Sequence, residues 1–219
     1  MSGKKYSKVL TVILILIIIA VIGLFAYLGY SYYKKNKTES DAEEFVSSFT
    51  DSIASDGSTD SSTTESDENA LVDEGTSTTS ATKTTYKGFE VLGTIEIPAT
   101  DVEYPVLAKL SAKALDTAVV AAYPSPAELN TEGNVVIMGH NYRNGTFFSN
   151  NGKLTSGDKI YITDLNGNKV TYVIYSVFEA TETDTSFYNR DTDGKKEITL
   201  STCTDDSSAR IIVLAAEEE

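Results

Sequence analysis

Ile198-Thr199-Leu200-Ser201-Thr202-Cys203-Thr204 is an apolar, β-branched run that ends in a thiol. Residues of that kind suit a pleated, buried strand. The polar run Asp205-Asp206-Ser207-Ser208 follows at once and marks where the strand stops. A second apolar segment, Ile211-Ile212-Val213-Leu214, begins beside Arg210. The stretch thus predicts strands over Glu197–Thr202 and Arg210–Ala215, with a thiol leaving one and a guanidinium entering the other. Cys203 is the only cysteine, so it cannot form an internal disulfide. Taken alone it has two readings: a small hydrophobe at the end of a core strand, the commoner fate of a free cysteine, or a nucleophile with a cation close by.

Upstream, the pattern is again that of strands. Phe89–Ile97 ends at Pro98, and Val102–Leu107 is a short extended piece whose Pro105 suits an edge. Ser111–Ala122 predicts one or two helical turns, ended by Tyr123-Pro124-Ser125-Pro126. Asn134–Met138 is a buried run that stops at Gly139-His140. Lys159–Thr163 and Lys169–Thr181 flank Asp164-Leu165-Asn166-Gly167-Asn168, which reads as a hairpin with an Asn-Gly turn. Seven or eight strands with little helix predict a closed or nearly closed antiparallel barrel. Glu217–Glu219 reads as a solvated tail.

The N-terminal part of the chain is different in kind. Val9–Tyr30 is a nearly unbroken apolar run without a charge, and at ~1.5 Å per residue its length is about 33 Å, enough to cross a hydrocarbon core. A cleaved signal peptide has a shorter apolar region and ends in a small-x-small site. This run ends instead in Tyr30, Tyr32 and Tyr33, which suit a membrane interface. Lys4, Lys5 and Lys8 on one side are balanced by Lys34, Lys35 and Lys37 on the other. The very short leader places the N-terminus inside. Residues 38–82 then hold acidic residues and Ser/Thr clusters but no Lys or Arg, a composition that cannot bury enough apolar surface to offset its ordering entropy. Within it, Phe45, Val46, Phe49 and Ile53 fall at helical spacing, so Asp41–Ile53 is open to either a short amphipathic helix or disorder. The expected layout is a cytoplasmic leader (1–8), a single-pass anchor (9–33), an acidic stalk (34–85) and an extracellular folded domain (86–219). The net charge of −14 argues against nucleic acid, because all 32 acidic residues lie beyond residue 33 and no Lys/Arg cluster offsets them there.

His140 is the only histidine and sits where the Asn134–Met138 strand exits, in Met138-Gly139-His140-Asn141. A loop histidine satisfied by local hydrogen bonds is its plain reading. The set matters more than its members. A thiol must lose its proton to attack, and a neighbouring His or Arg cation favours that loss. A histidine can then protonate a leaving amine, and an arginine can hydrogen-bond the oxyanion of a tetrahedral intermediate. Zinc is nearly excluded, since it takes several N/S ligands and the chain has one His and one Cys. Asp205 and Asp206 could orient Arg210 or His140, with loop solvation as the default. Arg143 and Arg190 read as loop charges.

Thr199-Leu200-Ser201-Thr202-Cys203, followed by Arg210 at the start of the next strand and preceded far upstream by Gly139-His140-Asn141, resembles the sortase family over roughly residues 88–215. The resemblance implies an all-β domain with a closed eight-stranded sortase-type barrel and short helices, behind an N-terminal transmembrane helix and a disordered stalk. It also implies a cysteine transpeptidase of the Gram-positive cell surface. Such an enzyme cuts a C-terminal sorting signal of surface proteins after a threonine and holds the acyl group as a thioester. It passes that group to an amine of a lipid-linked peptidoglycan precursor or to a pilin lysine. By motif position Cys203 is the nucleophile, His140 the general acid/base and Arg210 the oxyanion or substrate clamp, with Thr202 a substrate or oxyanion contact. No cofactor or metal is implied. The wording of TLSTC and of His140–Phe148 is similar to class B members. Those members place a long helix before the cysteine strand, and Thr181–Lys196 is too short for one, so their substrate pocket does not carry over. Two other functions fit parts of the pattern: a non-catalytic stalked β-domain that displays a binding surface, and a plain cysteine hydrolase.

Overall fold

The computed structural model describes residues 3–56 and 84–218. It divides into two compact units, Met1–Asp41 and Ala42–Glu219. The first is the bulk of helix α1 (Gly3–Asp56), whose apolar side chains from Leu10 to Tyr33 are exposed. α1 is long and apolar enough to cross a membrane. Most of the expected stalk, residues 57–83, lies outside the described residues.

The second unit begins with the end of α1. The segment that the apolar spacing left open takes the helical form. Ala42, Val46 and Phe49 are buried, and the Phe45 ring meets the edge of Tyr86 at 5.0 Å. Each aromatic so covered contributes about 1.5–3 kcal/mol of transfer free energy, which a solvated acidic segment could not gain.

The rest of this unit is one sheet closed on itself. In chain order the strands are β1 (Thr85–Tyr86), β2 (Phe89–Ile97), β3 (Val102–Leu107), β4 (Val119–Tyr123), β5 (Gly133–Met138), β6 (Lys159–Asp164), β7 (Lys169–Ala180), β8 (Lys196–Cys203) and β9 (Arg210–Glu217). They lie in the order β1-β2-β3-β4-β5-β8-β9-β7-β6, and β6 pairs back onto β2. The two-residue β1 stands outside the ring, so eight strands form the barrel. Closure runs through Gly93↔Asp164 to Glu96↔Tyr161. At Gly93 the backbone of β6 comes so close that an added Cβ would meet the Thr163 carbonyl oxygen and lie 2.9 Å from Leu129 Cδ1. Only glycine fits there.

The expected hairpin is β6–β7, closed at its tip by Asp164, whose Oδ1 accepts from the Asn166 and Asn168 amides. Two expectations change. Ala112–Leu115 (α2), capped by Ser111, is the only helical turn in 111–122, and Val119–Tyr123 is strand. The β-branched Val119 and its neighbour Val120 pair with Val106 and Leu107 of β3, a contact that outweighs local helix preference. The barrel is also not wholly antiparallel, because β3–β4 and β5–β8 are parallel. β5 and β8 are covered on both faces. Val135, Ile137, Ile198 and Leu200 point into the barrel, whereas Val136 joins an outer cluster with Ala180, Phe187, Ile212 and Leu214.

Candidate active site

The β5–β8 pairing ends at Met138↔Ser201, and Gly139 N still donates to Ser201 O at 3.2 Å. His140 therefore leaves β5 alongside the last residues of β8. Asn141 fastens that exit: its Nδ2 donates to the Cys203 carbonyl and to Asp205 Oδ1, both at 2.9 Å. Phe148 N closes the loop by donating to His140 O at 3.1 Å. On the other side of β8, Cys203 and Arg210 are direct register partners, and Arg210 Nη1 donates to Cys203 Sγ. The thiol is half-buried. Thus the three residues singled out from the sequence come from the ends of three adjacent strands. The guanidinium engages the thiol, and main-chain and amide bonds hold the histidine segment beside it.

Side chains alternate along β8. Thr202 follows Ile198 and Leu200 toward the interior, is buried, and is paired with Ile211, which packs on the interior cluster. Its hydroxyl is thus on the opposite face of the strand from the thiol. Glu197, Thr199, Ser201 and Cys203 form the outward row.

Four further residues complete the surroundings. His140 Nε2 lies 3.3 Å from Asp116 Oδ1, at the end of α2, and Tyr142 OH donates to the same oxygen at 3.0 Å. The imidazole and phenol rings are 5.0 Å apart. Burial, and then the bond to the Asp116 carboxylate, push the Tyr142 phenol up to about 12, so it remains a donor throughout the physiological range. The nearest carboxylate to Arg210 is Glu182, whose Oε1 is 3.3 Å from Nη2. Tyr188 packs on the outer cluster that holds Ala180, the register partner of Arg210 on β7; burial raises its phenol and the Arg210 charge opposes that shift.

Asp205 and Asp206 orient neither His140 nor Arg210. Asp205 accepts from Asn141, and Asp206 accepts from Thr204 Oγ1, Ser208 N and Ser208 Oγ within the Cys203–Arg210 connection. Those bonds hold the Asp206 carboxyl down to about 2, against a usual value of 3.8. A folded-state value below the unfolded one stabilises above the unfolded range and loses that contribution as pH falls toward 2. Acid titration followed by amide exchange is expected to keep residues 204–208 protected at pH 4 and to release them on the way down to about pH 2. Among the described residues no three His, Cys, Asp or Glu side chains gather as a metal site requires.

Asp116 and Tyr142 were not visible as site residues. Asp116 reaches His140 across β4 and β5, and no motif spans that interval. A carboxylate that meets an imidazole fixes its tautomer and orientation. If the thiol and imidazole cleave a peptide bond, as the resemblance implies, Asp116→Asn lowers kcat about tenfold, with KM and the unfolding midpoint unchanged because Asp116 is largely exposed. Steady-state kinetics beside thermal denaturation checks it.

A family model described as Sortase domain matches residues 95–218. Sortase A of Bacillus anthracis is 36% identical over 127 residues, covering 57% of this chain and 58% of that protein. The chain thus aligns with less than two thirds of that relative. Among solved structures, a lid mutant of Sortase A from Corynebacterium diphtheriae superposes with a TM-score of 0.54 at 28% identity, over 60% of this chain and 72% of that one. A Clostridium perfringens Sortase D5 transpeptidase gives 0.54 at 29% identity, over 59% and 80%.

Proposed function

This chain belongs to the sortase family, and from that membership we propose that it is a membrane-anchored cysteine transpeptidase with Cys203, His140 and Arg210 as its catalytic set. The observation that carries the proposal is the thiol–guanidinium hydrogen bond between register partners at the connected end of the β8–β9 hairpin. A guanidinium in that position can donate to the sulfur and to negative charge that forms beside it during attack.

In the proposed reaction the Cys203 thiolate adds to the threonine carbonyl carbon at the scissile bond of a C-terminal sorting signal. Arg210 donates to the oxyanion so formed. The C–N bond breaks as His140 gives a proton to the departing amine, leaving a thioester on Cys203. An acceptor amine, from a lipid-linked peptidoglycan precursor or a pilin lysine, then adds to the thioester carbonyl and loses a proton to His140. The C–S bond breaks and the thiolate returns. Asp116 keeps the imidazole in register through both proton transfers. Thr202, with its hydroxyl facing inward, supports the strand beneath the thiol. Residues 9–33 cross the membrane from a cytoplasmic leader, 34–85 form the connection, and 86–219 carry out the chemistry outside the cell.

The test is mass spectrometry of the intact protein after exposure to a library of five-residue sorting-motif peptides with threonine before the scissile bond. An acyl adduct on Cys203, discharged by an added amine to a new amide, is the expected result. No adduct with any peptide refutes the reading, and discharge only to the free acid in the presence of abundant amine refutes its transfer half.

A further inference from the structure

The connection between β7 and β8, residues 181–195, forms no helix and is held down from beneath by one side chain. Asn134, near the start of β5 and buried, donates from Nδ2 to the carbonyls of both Phe187 and Tyr188 at 2.9 Å. Its Oδ1 accepts from Thr199 Oγ1 at 2.8 Å and from Arg190 Nη2 at 3.2 Å. With two donors fixed on its oxygen, the amide cannot turn over, and its N–H pair must face the loop. Arg190 is held in turn. Its Nη2 is 2.6 Å from Glu197 Oε2, and its Nη1 donates to Tyr175 OH, which donates to the same carboxylate at 2.9 Å. An arginine bound on both terminal nitrogens is a fixed fork rather than a loose loop charge.

The network has a direction. Glu197 and Thr199 stand in the same outward row of β8 as Cys203, with Ser201 between. The two carbonyls that Asn134 holds belong to the residues whose rings cover that row. Phe187 is buried in the outer cluster with Ala180, the register partner of Arg210, and Tyr188 packs on that cluster with its ring 5.5 Å from Tyr123. Shift the main chain at 187–188 and the two rings packed next to the Ala180–Arg210 pair move, while the Cys203–Arg210 pair on β8 and β9 stays.

We propose that Asn134 and Arg190 are positioning residues for substrate binding, holding the Phe187–Tyr188 main chain so that the Tyr188 ring bounds the substrate's path past Arg210. The inference rests on the transpeptidase reading. It is tested with the full chain in detergent on a fluorescence-quenched library of five-residue peptides with threonine before the scissile bond. Asn134→Asp replaces both donors with acceptors that face two carbonyls at nearly constant volume. It is expected to raise KM about tenfold, the scale of a lost buried hydrogen bond, with kcat and the rate of Cys203 alkylation by iodoacetamide changed less than twofold. Arg190→Gln and Tyr188→Ala are expected to raise KM in the same way. If Asn134→Asp does not fold, these two variants carry the test. Unchanged KM in the variants that fold, or a fall in kcat and in alkylation rate alongside it, overturns the proposal. Failure of the unmodified protein to cleave any peptide overturns the transpeptidase reading first and this inference with it, so the two failures are distinguishable.

Discussion

Cys203→Ala yields a folded protein that forms no acyl adduct and cleaves its peptides at least about 10⁴-fold more slowly, the scale on which removing a covalent nucleophile acts. The fold survives because Cys203 ends β8 and is half-exposed, so truncation opens no core cavity. Arg210 loses an acceptor but keeps Glu182 and solvent, and the stability cost stays within about 1 kcal/mol. Intact-protein mass spectrometry, peptide cleavage and thermal unfolding, run side by side, check all three parts. A companion change, Arg210→Lys, keeps the charge but gives up the planar fork, which engages Cys203 Sγ with one nitrogen and Glu182 with the other. Its expected loss is about 10²-fold in kcat, the size of a missing oxyanion donor. Cleavage that survives Cys203→Ala would leave the thiol a structural residue and overturn the thiol-dependent reading.

Gly93→Ala is expected to prevent the barrel from closing properly. A methyl group there would collide with the Thr163 main-chain carbonyl, which cannot swing away as a flexible side chain can. The residues that follow are committed as well. Thr94, Ile95 and Glu96 pair with β3 on one edge and β6 on the other, so relief at Gly93 costs pairing in both directions. The expected destabilisation is about 3 kcal/mol or more, a substantial part of the 5–15 kcal/mol or so that holds an average domain together. The midpoint should fall by roughly 10 °C. The chain has 13 tyrosines and no tryptophan, so near-ultraviolet circular dichroism of the tyrosine bands reports the loss of packing. Stability equal to that of the unmodified protein would show that β2 and β6 are not in this register.

What could be read in advance was what rests on short-range pattern. The β8–β9 pair and the β6–β7 hairpin each announce themselves within about twenty residues, through alternation and a polar or Asn-Gly turn. Phe45, Val46, Phe49 and Ile53 carried a helical spacing, but the acidic composition around them argued the other way until Tyr86 supplied a surface. β4 was illegible for a related reason: Ala114 to Ala122 is compatible with a helix until β3 offers Val106 and Leu107 as partners. The parallel direction of β5 against β8 leaves no local mark at all, although it decides that His140 and Cys203 emerge at the same end. Asp116 and Arg190 were hidden in the same manner, because each acts on groups that only the finished barrel brings near.

The nucleophile and its cation occupy facing positions of a hairpin, so the gap between them is set by the distance between neighbouring strands and owes nothing to the length of the chain that joins them. Residues 204–209 can therefore be lengthened, shortened or rewritten without moving sulfur relative to guanidinium. Apart from Asp205, which helps fasten the His140 exit, the tip of the hairpin is free to diversify, and a lineage built on this frame can change what it recognises while its chemistry stands still.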